Sequence, residues 1–348
     1  MGRRYVSSTG ALAVVVLAVL ATVAVTAQAP TAKTKPWTPP RTVDGQPDLQ
    51  GVWANNVATP LQRPKALAGK TVLSDQEVAA LKEAATQLFD GGGDAAFGDQ
   101  VFETALAKAK SFTSTDGKTG DYNHFWLVDR EFDNRTSLIT DPPDGRIPPL
   151  TPEAEKKAAE RRQRARGEGD PSAGRADSWE DRGLSERCIT FGSPRIGAGY
   201  NSYVQIFQNR DYVTIVQETI HDARIIPLDG RPHVSSSVRQ WHGDSRGRWE
   251  GDTLVVETTN YSPKSNLMNS SESVRVTERF TRVSPTTVKY EVTFNDPATW
   301  TRPWTVMIPL KRSNEHMYEY ACHEGNTGLE GILAGARAEE KRARSGSK

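Results

Sequence analysis

The chain is poor in the features that most often reveal a function from sequence. Its formal net charge is +1, so nothing in the overall electrostatics points to nucleic acid or to an anionic membrane. Beyond residue 27 no stretch is long and apolar enough to cross a bilayer, so no stable membrane span is expected after that point. Neither of the two cysteines, Cys188 and Cys322, lies near the N-terminus, which argues against a lipoprotein. Position 319 is Glu, so Cys322-His323 lacks the C-x-x-C-H pattern of covalent haem. The six histidines show no H-x-H or H-E-x-x-H spacing, so a metal is the weaker expectation and no cofactor is implied. Gly91-Gly92-Gly93 is not followed by Lys-Ser/Thr and does not imply a phosphate loop. Gly243-Asp244-Ser245-Arg246-Gly247 matches G-x-S-x-G, but a turn and a strand follow it where a nucleophile elbow needs a helix.

What is present begins with an export signal. Arg3 and Arg4 precede an apolar run from Ala11 to Val25, and Val25 and Ala27 occupy the positions that a signal peptidase reads. Residues 1–27 are therefore expected to be a cleavable leader, with an uncleaved anchor as the alternative, and the mature chain to be periplasmic or secreted. In an oxidising compartment Cys188 and Cys322 are expected to pair. The long loop so closed is worth roughly 4–5 kcal/mol on the chain-entropy model. Two separate buried thiols are the alternative.

Residues 28–50, rich in Pro, Thr and Lys, read as a linker. A mixed helix and strand region over 51–187 follows, expected to pack on the main domain, and Pro47 to Trp53 reads as a turn entering a short strand. Ser74 and Glu77 form a capping box ahead of Val78, Leu81 and Leu88. A weaker helix is expected over 99–110, strands over 122–138, and a solvated helix over 152–166. From Cys188 the period changes to two. Tyr203–Gln208 and Tyr212–Glu218 flank Asn209-Arg210-Asp211 as a hairpin. Strands are expected at 223–228, 253–259, 274–282, 286–294, 304–311 and 317–322, with a tight turn over 248–254. Several of these strands have one apolar face, as in Val288, Tyr290, Val292 and Phe294. The fold class expected is mainly β with peripheral helices: an antiparallel, calycin- or lipocalin-like β-barrel over 188–325, or alternatively a β-sandwich. An amphipathic helix over 326–342, in the C-terminal segment 326–348, should cover one end or edge.

Three strings are distinctive: residues 221–230 (HDARIIPLDG), 241–252 (WHGDSRGRWEGD) and 318–326 (YEYACHEGN). On these, the chain resembles a family of uncharacterised exported proteins from soil and environmental bacteria. The resemblance spans about residues 43–340; it implies export and carries no catalytic residue with it.

Candidate chemistry lies in the β half. His221, His242 and His323 stand beside Asp222, Asp244 and Glu324, and imidazole titrates near neutral pH without tuning. They are expected to meet at one end of the barrel; the alternative is that each satisfies its own turn. Glu278 falls between Val276 and Phe280 on the inward face, where a carboxylate needs a cation. It would be an acid with raised pKa, or a structural partner of an arginine such as Arg302. Arg224 and Arg302 suit an anion. Trp241, Tyr320 and Asn326 complete the expected ligand contacts, while the other tryptophans read mainly as core. The function expected is binding of a small organic molecule in a polar-mouthed pocket. Alternatives are a metal-independent lyase, isomerase or hydrolase using histidine, Glu278 and Glu324, and an envelope protein without a pocket.

Overall fold

The computed structural model describes residues 37–89, 94, 96, 98–113, 130–166, 176–265 and 267–346, without the side chains of 163–166, 221 and 346. The expected leader and most of the strand region 122–138 lie outside the described residues.

Ten strands join in one sheet: β1 (Gly51–Ala54), β2 (Ile139–Asp141), β3 (Tyr203–Gln208), β4 (Tyr212–Gln217), β5 (Ala223–Pro227), β6 (Asp244–Glu250), β7 (Thr253–Thr259), β8 (Arg275–Ser284), β9 (Thr287–Asn295) and β10 (Trp304–Ser313). The ladder runs β5-β4-β3-β1-β10-β9-β8-β7-β6, every pair antiparallel, with β2 on β10 off this path. Four α-helices are described: α1 (Asp75–Leu88), α2 (Gln100–Leu106), α3 (Pro152–Arg166) and α4 (Gly328–Gly346). Mainly antiparallel β with peripheral helices is thus the architecture.

The sheet is open, and strand parity explains why. Along a path of nine antiparallel strands the first and last run the same way, so β5 and β6 can meet only in parallel. They do approach one another, joined by the crossover 228–243, but no ladder forms between them. A lipocalin closes on an even number of antiparallel strands; here the edges meet as an unzipped parallel seam. At one end the seam is shut by packing. A Cβ on Gly247 would stand 2.7 Å from Leu228 Cδ2 and 2.9 Å from Ile226 Cγ2, so only glycine fits.

The curved sheet encloses a filled core, not the expected hollow. Trp53, Trp304, Phe280, Phe294, Ile308 and Leu310 are all at most 2% exposed. Phe294 stacks on Trp304 with ring centroids 4.5 Å apart, and Phe280 stacks on Tyr290 at 4.4 Å. Inward alternation on β8, β9 and β10 follows the sequence pattern residue by residue.

Several elements differ from expectation. The short strand expected at Trp53 forms as β1, but in the middle of the sheet between β3 and β10, where Trp53 buries completely and donates its indole N–H to Leu49 O at 2.8 Å. The region 28–50 is not all linker: Leu49 is fully buried, and the Gln208 side chain accepts from Leu49 N and donates to Pro47 O. β6 forms where a turn was expected to begin, since β7 templates a polar stretch whose inward positions are Ser245, Gly247 and Trp249. No strand forms over 317–322: both edges of β10, the strand before it, are already taken, and the segment reaches neither free edge of the sheet. α4 has no buried described residue, and Ile332 on its apolar stripe stays 37% exposed, so it does not cover the sheet as expected. α1, by contrast, begins at the capping box read from the sequence, with Ser74 and Glu77 bonding reciprocally. None of the described helices is long and apolar enough to cross a membrane.

Candidate functional site

The open end of the seam holds a cavity of about 730 Å³. β5 contributes Ala223, Arg224 and Ile225 to it, and the segment 239–246 contributes Arg239, Trp241, His242, Asp244 and Arg246. Its location follows from the register of β5. Gln217 N donates to Asp222 O, and Leu228 N to Asp211 O, so Asp222, Arg224, Ile226 and Leu228 turn their backbone groups toward β4. The alternate residues, Ala223 and Ile225, turn theirs toward the seam, where β6 offers no ladder. An edge left unpaired beside a hollow is a ready surface for recognition.

His242 is placed by an unusual turn. Gly243 sits at φ +67, and a Cβ there would stand 2.5 Å from Thr259 O, so the chain can swing His242 back over β5 only with glycine at that position. His242 Nε2 then lies 3.3 Å from Asp222 Oδ1. Asp222 is itself fixed: its Oδ2 accepts from Thr190 Oγ1 at 2.6 Å and from Phe191 N at 3.3 Å. A carboxylate against Nε2 favours the proton on that nitrogen. Nδ1 is buried and has no hydrogen-bond partner among the described residues. Ile220, two residues before Asp222, has φ +53, a costly backbone for a β-branched side chain, next to the aspartate that meets the imidazole.

Arg224 links the seam to the interior. Its Nη1 and Nη2 donate to Glu278 Oε2 and Oε1 at 2.5 and 2.9 Å, and Tyr290 donates to Glu278 Oε1 at 2.6 Å. Burial works against the charge on Arg224, but the Glu278 carboxylate outweighs it and raises the pKa. Burial, reinforced by Glu278, pushes the Tyr290 phenol well above its usual range and keeps it a donor. The Arg224 Nε is buried and has no partner among the described residues.

The expected pairs are thereby exchanged. Asp222 meets His242, while Asp244 accepts from His233 Nδ1 at 2.7 Å, Val234 N at 3.1 Å and Arg246 Nη1 at 2.7 Å. Glu278 is fully buried, with its carboxylate turned to Arg224 and Tyr290; an acid acting at the seam would have to be another group. Arg302 is a surface residue paired with Asp141 at 2.7 Å, not the partner of Glu278. His221 ends the short turn Thr219–His221, and its side chain lies outside the description.

The remaining candidates sit elsewhere. His323 is exposed in the loop after Cys322, while Tyr320, Glu324 and Asn326 line a separate depression of about 530 Å³ beside the disulfide. Cys188 and Cys322 are joined, as expected. Phe191 connects the two places, its amide on Asp222 and its ring edge-on to Tyr320 at 6.0 Å. The candidates therefore fall into two groups rather than one mouth. Sequence reasoning missed Thr190, Arg239 and Arg246, because nothing in the pattern tells which strands become edges. A further hollow of about 790 Å³ between α1 and α2, walled by Leu73, Leu81, Leu88 and Leu106, holds none of the candidates. Among the described residues no three His, Cys, Asp or Glu cluster as metal ligands would.

Compared with protein-family models, curated proteins and solved structures, the chain finds no match.

Proposed function

We propose that this is an exported protein that binds a small organic molecule in the seam between β5 and β6. The observation that carries the reading is a coincidence of two orphaned nitrogens. Arg224 Nε and His242 Nδ1 are both buried, both lack a partner among the described residues, and both belong to residues lining the same cavity. A buried polar atom left unpaired costs about 1–3 kcal/mol, and a ligand atom reaching it returns that cost. The volume falls in the range typical of small-molecule sites.

Export is part of this reading. The leader features of residues 1–27, the family resemblance and a disulfide, which is rare in reducing compartments, all favour it. A calycin-like relationship also belongs here. It is supported by the meander from β6 to β10 and by the approach of β5 to β6.

A second reading is a lyase, isomerase or hydrolase. With Nε2 turned to Asp222, His242 Nδ1 is the nitrogen left to take a proton. Arg224 would then stabilise negative charge developing on the substrate.

The test is a thermal-shift screen of small organic acids, amines and sugars against the mature chain and His242→Ala. A ligand at a hundredfold excess over Kd adds about 2.7 kcal/mol of stability. At least one compound should raise the Tm of the wild type and lose its effect in the variant. Equal shifts in both proteins would place binding elsewhere. Turnover of a hit by the wild type and not by His242→Ala would favour the second reading.

A further inference from the structure

Resting on that reading of the seam, the geometry points to its ligand class: we infer that the seam takes a small carboxylate.

Most polar atoms of the wall are already spent on one another or on the backbone. Asp244 is the one carboxylate lining the cavity, and both its oxygens are engaged, Oδ1 by Arg246 and Oδ2 by His233 and Val234. It has little left to offer an incoming donor. The three lining arginines are each already held. Arg224 rests on Glu278, Arg246 on Asp244 and Pro232 O, and Arg239 on the Tyr261 and Glu272 carbonyls. All three arginines line the cavity, and the acceptors that hold them are already taken. A guanidinium keeps its protons throughout the accessible pH range. The orphan at Arg224 Nε is therefore an N–H donor, and only an acceptor satisfies it.

The edge of β5 adds to this. Ala223 and Ile225 present backbone N–H groups toward the seam, and Pro227, the next residue of that set, has no N–H to give. Donors thus concentrate at the open end, where Arg224 also stands. A carboxylate accepts two or more such bonds at once, and its bonds to these donors are charge-assisted. A cation would meet three guanidinium groups. A neutral amide would spend one side on its own donors. Trp241 on the same wall suits a flat apolar body attached to the carboxylate.

The experiment uses three isosteres on the intact, disulfide-bonded chain: benzoate, benzamide and benzylamine. Binding is followed by NMR on ¹⁵N-histidine-labelled protein, with the His242 signals assigned through His242→Gln. Charge-assisted bonds are roughly twice as strong as neutral ones. Benzoate should therefore shift the His242 resonances with a Kd about tenfold below that of benzamide, and benzylamine should leave them unmoved. His242→Trp, which fills the space beside β5, should weaken benzoate at least about tenfold, read by calorimetry. Benzamide or benzylamine binding at His242 as tightly as benzoate would overturn the ligand class and leave the seam site standing. Benzoate bound equally well by His242→Trp, or no response to any of the three, would overturn the seam site together with the class.

Discussion

The Arg224–Glu278 pair offers the sharpest physical test of the interior. Arg224 is 6% exposed and Glu278 not at all, and the pair is bidentate with a phenol donating to the same carboxylate. Glu278→Gln keeps the volume but sets an amide N–H against a guanidinium N–H and leaves a buried cation without its counter-ion. Arg224→Met leaves a buried carboxylate with Tyr290 alone. Removing one member of a buried pair costs about 3–5 kcal/mol. If the singles were additive, their sum would be about 6–10 kcal/mol. The double variant Arg224→Met/Glu278→Met removes both charges together, and such replacements range from neutral to about 1–4 kcal/mol more stable. Its stability should therefore lie near the wild type, far from the sum of the singles. Equilibrium urea unfolding with the disulfide intact measures all four proteins, and the m-values should agree. Single variants costing under about 1 kcal/mol, the range of exposed pairs, would refute the reasoning. They would mean that water reaches this pair.

Three further predictions concern the frame around the seam. Replacing Cys188 and Cys322 by serine opens a loop with a sequence separation of 134 and should cost about 5 kcal/mol on the chain-entropy model, read by urea unfolding against the oxidised wild type; a loss under about 1 kcal/mol would mean that the rest of the contacts already hold these segments together. Gly247→Ala pushes a methyl into Ile226 and Leu228 and should cost about 1–3 kcal/mol while speeding hydrogen exchange in β5; unchanged stability would show that the two edges do not pack there. Lys70 and the Ser74 cap hold the Glu77 carboxyl at about 2 against its usual 4.5, and Arg231 holds Asp229 at about 2 against 3.8. Both contributions are present above the unfolded values and are lost as pH falls toward 2, so Tm should decline over that window, and less steeply in Glu77→Gln. Parallel curves for the two proteins would contradict this.

How much of this was legible in the sequence depends on how local the cause was. The α1 cap and the alternation of β8, β9 and β10 are decided within a few residues, and the structure follows them. Glu278 was recognisable as an inward carboxylate, because its neighbours Val276 and Phe280 share its face. Its partner was not, since Arg224 comes from a strand at the far edge of the ladder and reaches it only through the curvature of the sheet. The exchange of aspartates has a similar origin. Gly243 turns the chain between His242 and Asp244, so residues two apart do not share a face, and His242 is carried over to Asp222. The disulfide followed from composition alone. The parallel seam follows from counting strands, but only once Asp244–Glu250 is known to be one of them and 317–322 is known not to be.

The most direct test of the account is a crystal structure of the mature chain grown with a saturating small carboxylate such as benzoate. Ligand density is expected between Ala223–Ile225 and His242–Arg246, with a carboxylate oxygen within hydrogen-bond distance of Arg224 Nε. Density confined to the depression beside Tyr320 and Glu324, or a seam closed by hydrogen bonds between β5 and β6, would contradict it.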